Sequence, residues 1–320
     1  MLYDIIGDLH GHADALTALL TKLGYRESGH AWRHPERTAI FVGDFIDRGP
    51  KQVETVMTVR RMVDAGNALA IMGTHELNAI AWFSPDHENP GDFLRPHFSG
   101  KWGEKNRLQH ERFLAEVEGN PSLHKEVIDW FLTLPLWLEL PELQVAHACW
   151  HPAFMNWLAP RLMPGNRLSK ELMPAATKEP ANDFEKDSPE PSIFKVVEVI
   201  TKGIEVELPS PHCFKDKDGH TRTRVRTRWW DIQATTYRRA AMLDEEALQQ
   251  IPDDPIPEYK RAPYTDLRPL FVGHYWESGT PTPFSNNVAC VDYSVANNGK
   301  LVAYRWNGEC VLNSDGFVWV

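Results

Sequence analysis

Apolar positions in the first quarter of the chain fall into short runs separated by amphipathic stretches. Leu2 to Gly7 is an apolar run of strand length, and Ala13 to Leu23 comes next with Leu16, Leu19, Leu20 and Leu23 at helical spacing, closed by Gly24. Thr38 to Gly43 is a second apolar strand. Val53 to Val63 sets Val53, Val56, Met57, Val59, Met62 and Val63 largely on one helical face before Gly66, and Ala68 to Met72 is a third strand. This alternation predicts parallel strands with helices packed on the sheet, an α/β fold. Further along, Glu76 to Trp82, Glu111 to Glu118 and Lys125 to Leu132 are predicted helices, with Pro135 marking the end of the last. Leu143 to Ala146 and Leu270 to Val272 are short apolar strands. Gly203 to Leu208 and Thr221 to Trp230 are predicted strands joined through the turn Asp216-Lys217-Asp218-Gly219. Val288 to Val291 and Leu301 to Trp306 form a C-terminal antiparallel portion turning at Asn297-Asn298-Gly299.

The strands do not end in ordinary turn sequence. Their endings read Gly7-Asp8-Leu9-His10-Gly11, Gly43-Asp44-Phe45-Ile46-Asp47-Arg48-Gly49 and Gly73-Thr74-His75-Glu76, and two later runs end at His147 and at Gly273-His274. Open α/β sheets place their sites at the carboxyl ends of strands, so these ends bring Asp, His, Asp, His and His towards one crevice. A mixed carboxylate and imidazole set suits a divalent transition metal better than calcium or a thiolate-bound zinc. Singly, each residue has a structural reading, as a turn cap, a hydrogen-bonded core histidine or a surface ion pair. Three such blocks in order, each closing a predicted strand, are hard to obtain from packing alone.

Charge and cysteine usage narrow the classes. The 320 residues carry a net charge of −10, which disfavours a general nucleic-acid or anionic-membrane binder but leaves room for a local anion site built from metals and arginines. The apolar runs are too short to span a bilayer, and Met1 to Asp8 runs into a strand without the basic region of a signal peptide. Four scattered cysteines, Cys149, Cys213, Cys290 and Cys310, read as reduced and mostly buried thiols. The expected location is the cytoplasm, with neither nucleic acid nor membrane as partner.

The blocks GDLHG, GDFIDRG and GTHE resemble the GDxHG, GDxxDRG and GNHE blocks of calcineurin-like metallophosphoesterases. More narrowly they are similar to the phosphoprotein phosphatase branch of bacterial type, which includes Ser/Thr phosphatases and symmetrical diadenosine tetraphosphatases. The blocks cover about the first 80 residues. The resemblance implies a β-sandwich of two mixed sheets flanked by helices and one catalytic domain over residues 1–320. It implies two divalent metals, manganese first, with iron and zinc also fitting the ligand set. Asp8 and His10 would bind the first metal, Asp44 would bridge both, and Thr74, His147 and His274 would bind the second. His75 would protonate the leaving group, oriented by Asp47, while Arg48 holds phosphate oxygens. Glu76, with Arg48 as one candidate partner, and Asp292 would support these residues from behind. A metal-bridging hydroxide would attack phosphorus in line, with no phosphoenzyme.

One departure stands out: the family has Asn where this chain has Thr74, a shorter and poorer neutral donor. The leading expectation is hydrolysis of phosphomonoesters, phosphoproteins among them. Symmetrical bis(5'-nucleosyl)-tetraphosphate cleavage is the alternative, and a non-catalytic phospho-ligand binder, motivated by Thr74, is a third. The expected partner is accordingly a phosphorylated small molecule, a nucleotide or a phosphoprotein.

The rest of the chain is less specific. Residues 84–110, polar and rich in Gly, Pro and His, read as a substrate-facing loop in which His87, His97 and His110 are solvated. Residues 160–192 read as a lid or exposed excursion. Arg222, Arg224, Arg226 and Arg228 alternate along one strand face; the resemblance implies a further phosphate-binding arginine between the last two metal histidines, for which Arg228, then Arg226, is the expected residue. Tyr275-Trp276 and Trp150-His151 lie just after metal histidines and could stack on a planar group, although packing is the simpler role for any one of them.

Overall fold

Each central strand buries both of its faces, which is why its sequence reads as an unbroken apolar run rather than an alternation. Along Leu2–Ile6, Tyr3 and Ile5 face one hydrophobic cluster while Ile6 faces another; Ile40 and Val42 divide from Ala39 and Phe41 in the same way. The computed structural model describes residues 1–100, 102–180, 182, 184–215 and 219–320. In it, Leu2–Ile6, Arg37–Phe41 and Ala68–Ala70 pair in parallel, and Lys300–Trp306 runs antiparallel on the other side of Leu2–Ile6, flanked by Asp292–Tyr293 and Phe317–Trp319. A second sheet has the order Val288–Cys290, Leu270–Val272, Gln144–Ala146, Trp137–Glu139, parallel except at its last pair.

The two mixed sheets face each other across a core of Ile5, Ile40, Val42 and Ile71 from the first and Val145, Phe271, Ala289 and Val291 from the second. Their outer faces carry helices Ala13–Leu23, Gln52–Asp64 and Thr74–Phe83 and the segments around them. This is the sandwich that the resemblance implied. Within the first sheet, the carboxylate of Asp4 is fully buried and receives Arg37 Nε at 3.0 Å and Arg305 Nε at 3.1 Å. The Arg37 guanidinium also donates to the carbonyls of Tyr3 and Trp306, so one ionic knot ties Leu2–Ile6 to Arg37–Phe41 and Lys300–Trp306.

Several sequence expectations need revision. Residues 84–110 are not all loop, because helix Gly103–Val117 begins inside them; its first turns bury Asn106 and His110, polar residues that hydrophobic spacing does not reveal. Among the described residues of 160–192, Lys170–Leu172, Met173–Thr177 and Phe184–Asp187 are short helical pieces; Leu168, Met173 and Ala176 are buried in the main cluster, and most of the others are exposed or half-buried. The arginine strand is short: Arg224–Arg226 pairs with Glu205–Glu207, and Thr221–Arg222 pairs with Phe214–Lys215. Most of the expected turn, 216–218, lies outside the described residues. The cysteines divide evenly, Cys149 and Cys290 buried, Cys213 and Cys310 exposed. Among the described residues no helix is long and apolar enough to cross a membrane.

Replacing Asp4 by Ala strands the buried Arg37 charge. Urea denaturation should show a loss of about 3–5 kcal/mol, the cost of breaking a buried pair; a loss below about 1 kcal/mol would show that the knot is incidental.

Candidate metal centre

Five strand ends meet at one end of the sandwich. Asp8 lies just beyond Leu2–Ile6, Asp44 just beyond Arg37–Phe41, and Thr74 and His75 open helix Thr74–Phe83 after Ala68–Ala70; His147 and His274 close Gln144–Ala146 and Leu270–Val272. Non-glycine residues here adopt positive φ: His10 at 45°, Asp44 at 52°, Asp47 at 88° and His274 at 70°. Such backbone costs about 1–3 kcal/mol per residue and concentrates where function demands it. Glycines give the carboxylates room. A Cβ on Gly73 would lie 2.3 Å from Asp44 Oδ1, and one on Gly273 would lie 2.1 Å from Asp8 Oδ1.

Asp44 is the centre of the arrangement. Its Oδ1 lies 3.4 Å from His147 Nε2, while Oδ2 lies 3.9 Å from His10 Nε2 and 3.8 Å from His75 Nε2. One oxygen therefore faces His147 and His274, the other His10 and His75. Two rings are aimed by their second nitrogen: His10 Nδ1 donates to the Ile46 carbonyl at 2.9 Å and His147 Nδ1 to the Val42 carbonyl at 2.7 Å. Each then presents the Nε2 lone pair inward. Asp8 accepts the backbone N–H of His274 on Oδ2. Its Oδ1, with the Nε2 atoms of His10, His147 and His274, is buried with no protein hydrogen-bond partner. Orphaned buried atoms cost about 1–3 kcal/mol each, and cations held by this oxygen and nitrogen set would satisfy them. The residues present fit the divalent metals that the motifs imply.

The electrostatics point the same way. Burial, then Asp292 and Asp44, push Asp8 well above the usual carboxylate range. At Asp44 burial acts upward too, but His147 and His75 outweigh it and hold the group well below that range. Burial, with His75, takes His10 down to about 4, and burial with Arg226 takes His274 well below the usual imidazole range. Both rings are thus neutral, the ligating form. Against burial, the Asp44 carboxylate instead draws His147 above the ordinary imidazole range, and it does the same to His75. Burial opposes the charge of His75, yet the Asp44 carboxylate and a 2.7 Å hydrogen bond from Nδ1 to Asp47 Oδ2 lift it to about 9.

The remaining expected residues are distributed around this core. Arg48 is exposed at the mouth, its guanidinium 5.8 Å from the ring of Trp276, which itself lies 5.8 Å from the His10 ring. The Thr74 hydroxyl donates to the Thr201 carbonyl at 2.8 Å. Glu76 is not a partner of Arg48: its carboxylate accepts the backbone N–H groups of Asp44, Phe45 and Gly73, stapling two strand ends together. Asp292 accepts the backbone N–H groups of Trp276 and Ser294 and so fixes the loop after His274. Of the arginines, Arg226 acts on His274, lies 5.6 Å from the Tyr275 ring and has a buried Nε without a hydrogen-bond partner; Arg228 is exposed, its charge acting on Glu277. Tyr275 and Trp150 are packed, and His151 caps the helix Pro152–Leu158.

Sequence reasoning missed several side chains near the site. His110 is buried, not solvated, and its Nδ1 donates to Asp47 Oδ1 at 2.5 Å. His97 is stacked against Trp82 and Phe93, leaving only His87 of the three exposed. Arg95 and Lys202 line the cleft beside His75 with Asn78, Gln109 and Arg48. No local motif marks these residues; the only trace of His110 is its helical spacing to Phe113 and Leu114.

A family model for the calcineurin-like phosphoesterases matches residues 1–160, half of the 320-residue chain. The bis(5'-nucleosyl)-tetraphosphatase PrpE (asymmetrical) of Bacillus subtilis is 42% identical over 158 residues, 46% of this chain and 57% of that protein. Its namesake in Halalkalibacterium halodurans is 43% identical over 76 residues, 23% of this chain and 31% of that protein. The chain thus spans between 31% and 57% of the length of these two curated relatives. A cold-active protein-tyrosine phosphatase of a Shewanella species aligns over 96% of this chain and 78% of its own, at 18% identity and a TM-score of 0.46. The matched half holds every strand-end residue from Asp8 to His147, and on it the chain belongs to the calcineurin-like phosphoesterase family.

Proposed function

We propose that this chain is a metal-dependent phosphoesterase acting at a two-cation centre organised by Asp44. The observation that carries the reading is the Asp44 carboxylate, Oδ1 3.4 Å from His147 Nε2 and Oδ2 3.9 Å from His10 Nε2, with His75 hydrogen-bonded to Asp47 beside it. Asp8 and His10 would hold one cation, His147, His274 and the Thr74 hydroxyl the other, with manganese the first choice. Bound there, two cations supply Lewis acidity and an activated water near neutral pH. His75, its Nδ1 engaged by Asp47, carries a second proton on Nε2 for the departing oxygen. Arg48 and Arg226 bring charge to the phosphate oxygens, for which a guanidinium is geometrically suited.

The cleft favours a polyphosphate over an isolated phosphomonoester. Beyond His75 it is lined by Arg48, Arg95 and Lys202, and it continues past Arg95 and Lys202 to Lys105, Trp102 and Lys178, with Asp86, Glu179 and Glu198 also on its walls. The Arg95 guanidinium is held by the amide oxygens of Asn78 and Gln109 rather than by a carboxylate, so its charge remains available to a ligand. A dinucleoside polyphosphate, the substrate class in the relatives' names, fits the cations Arg48, Arg95 and Lys105 along this path, while Lys202 and Lys178 are paired with Glu198 and Glu88.

Diadenosine tetraphosphate should be turned over in manganese and not in chelator, more efficiently than an aryl phosphate. Nucleotide analysis then reads the cut: AMP with ATP for asymmetrical cleavage, ADP alone for symmetrical. Phosphate binding without turnover in any divalent metal would replace the enzyme with a binder. Arg95→Ala should raise KM for the tetraphosphate about tenfold, the value of one charge-assisted hydrogen bond, and leave that for the aryl ester nearly unchanged. An equal rise for both would remove Arg95 from the polyphosphate path.

Manganese at about 100 times its Kd should stabilise chelator-treated protein by about 2.7 kcal/mol for each site filled, and Asp44→Asn should abolish most of that gain. A full gain in the variant would mean that Asp44 is not the bridge. Thr74→Asn should raise activity, because an amide carbonyl is the stronger neutral donor; unchanged activity would show that Thr74 does not limit the second cation.

A further inference from the structure

Asp47 serves two histidines at once. Its Oδ2 accepts from His75 Nδ1 at 2.7 Å, and its Oδ1 accepts from His110 Nδ1 at 2.5 Å. Asp47 is 5% exposed and His110 2%, so little solvent competes for either bond. We propose that His110 is a positioning residue: it holds the Asp47 carboxylate in the one orientation that directs His75 Nε2 at the leaving group. This rests on the phosphoesterase reading above and extends it to a residue outside the three motif blocks.

The geometry supplies the reason. Asp47 sits on a turn at φ 88°, fixed by its N–H to Gln52 Oε1 at 2.7 Å, while Gln52 Nε2 binds the Gly49 carbonyl. The backbone is thereby pinned, but rotation of the carboxyl about its last bond is broad and two-fold unless both oxygens are engaged. Oδ1 has His110 as its side-chain partner among the described residues. His110 in turn is held on helix Gly103–Val117, its ring 5.0 Å from Phe113 and 6.0 Å from Trp82. Its Nε2 is buried without a hydrogen-bond partner, so the ring has a single hydrogen bond, and that bond is to Asp47. The neighbouring Gln109 holds Arg95 at 2.7 Å, so the same helix turn braces the acid and lines the cleft.

A proton donor matters in proportion to how poorly the leaving group departs on its own, which separates positioning from mere structural support. Asparagine places its amide nitrogen where His Nδ1 lies and can keep the bond to Asp47; glutamine places it near Nε2 and cannot. With manganese, His110→Gln should lower kcat about tenfold or more on phenyl phosphate and less than about threefold on 2,4-dinitrophenyl phosphate, KM unchanged, while His110→Asn restores most of the phenyl phosphate rate. Equal losses on both esters, or equal behaviour of the two amide variants, would overturn the assignment, and so would no loss. If His110→Gln fails to fold, the wild-type-like leaving-group dependence expected of His110→Asn still tests it: a selective loss on phenyl phosphate there contradicts the proposal. Absence of turnover of diadenosine tetraphosphate as well as of both aryl esters by the unaltered protein would instead defeat the phosphoesterase reading itself.

Discussion

One buried carboxylate, Asp44, must face imidazoles on both oxygens, and much of the sandwich answers to that requirement. A single anion with His147 on one side and His10 and His75 on the other needs strand ends from both sheets to converge within a few ångströms. The parallel pairing of Leu2–Ile6 with Arg37–Phe41, and of Gln144–Ala146 with Leu270–Val272, makes that convergence possible by ending the strands on the same side. Glu76 then locks the Asp44 turn to the Gly73 turn through three backbone hydrogen bonds. The positive φ of Asp44 and His274 is tolerable because packing and these bonds over-determine the turns.

Legibility in the sequence tracked the physics of each element. The strands buried on both faces show as apolar runs, and helix Ala13–Leu23 matches its periodicity to the residue because it presents one apolar stripe and ends on a left-handed Gly24. The motif blocks were readable because liganding turns need Gly, Asp and His at fixed spacing. The structure brings Asp8, His10 and Asp44 from those blocks together with His75, His147 and His274. Helix Ile193–Lys202 is rich in Val and Ile, which favour strand, and its helical signal lies in the spacing of Phe194, Val197, Ile200 and Thr201 behind the Ser192 cap; it carries Lys202 into the cleft. The hidden features depend on tertiary context. His110 and Arg95 lie in a polar stretch whose composition is that of a loop, and their roles come from the side chains that face them.

The two halves of the site therefore differ in origin. The metal-facing half is local chemistry repeated at successive strand ends, and all of it but His274 lies within the part of the chain that the family model matches. The outer half takes Arg95, Gln109 and His110 from one polar stretch and Lys202 from helix Ile193–Lys202, with no motif to mark them. Substrate choice belongs to this second half in the proposed reading, where chain length and charge of the ligand meet Arg95 and Lys202. Proton delivery sits at the junction, through the pair of histidines on Asp47.

Anomalous diffraction from a manganese-soaked crystal addresses the central claim most directly. The account predicts two peaks about 3.5–4 Å apart, one on each side of the Asp44 carboxylate, the first near Asp8 and His10 and the second near His147 and His274. A single peak, or a peak within bonding distance of His75 Nε2, would contradict a bridging Asp44 beside a proton-donating His75.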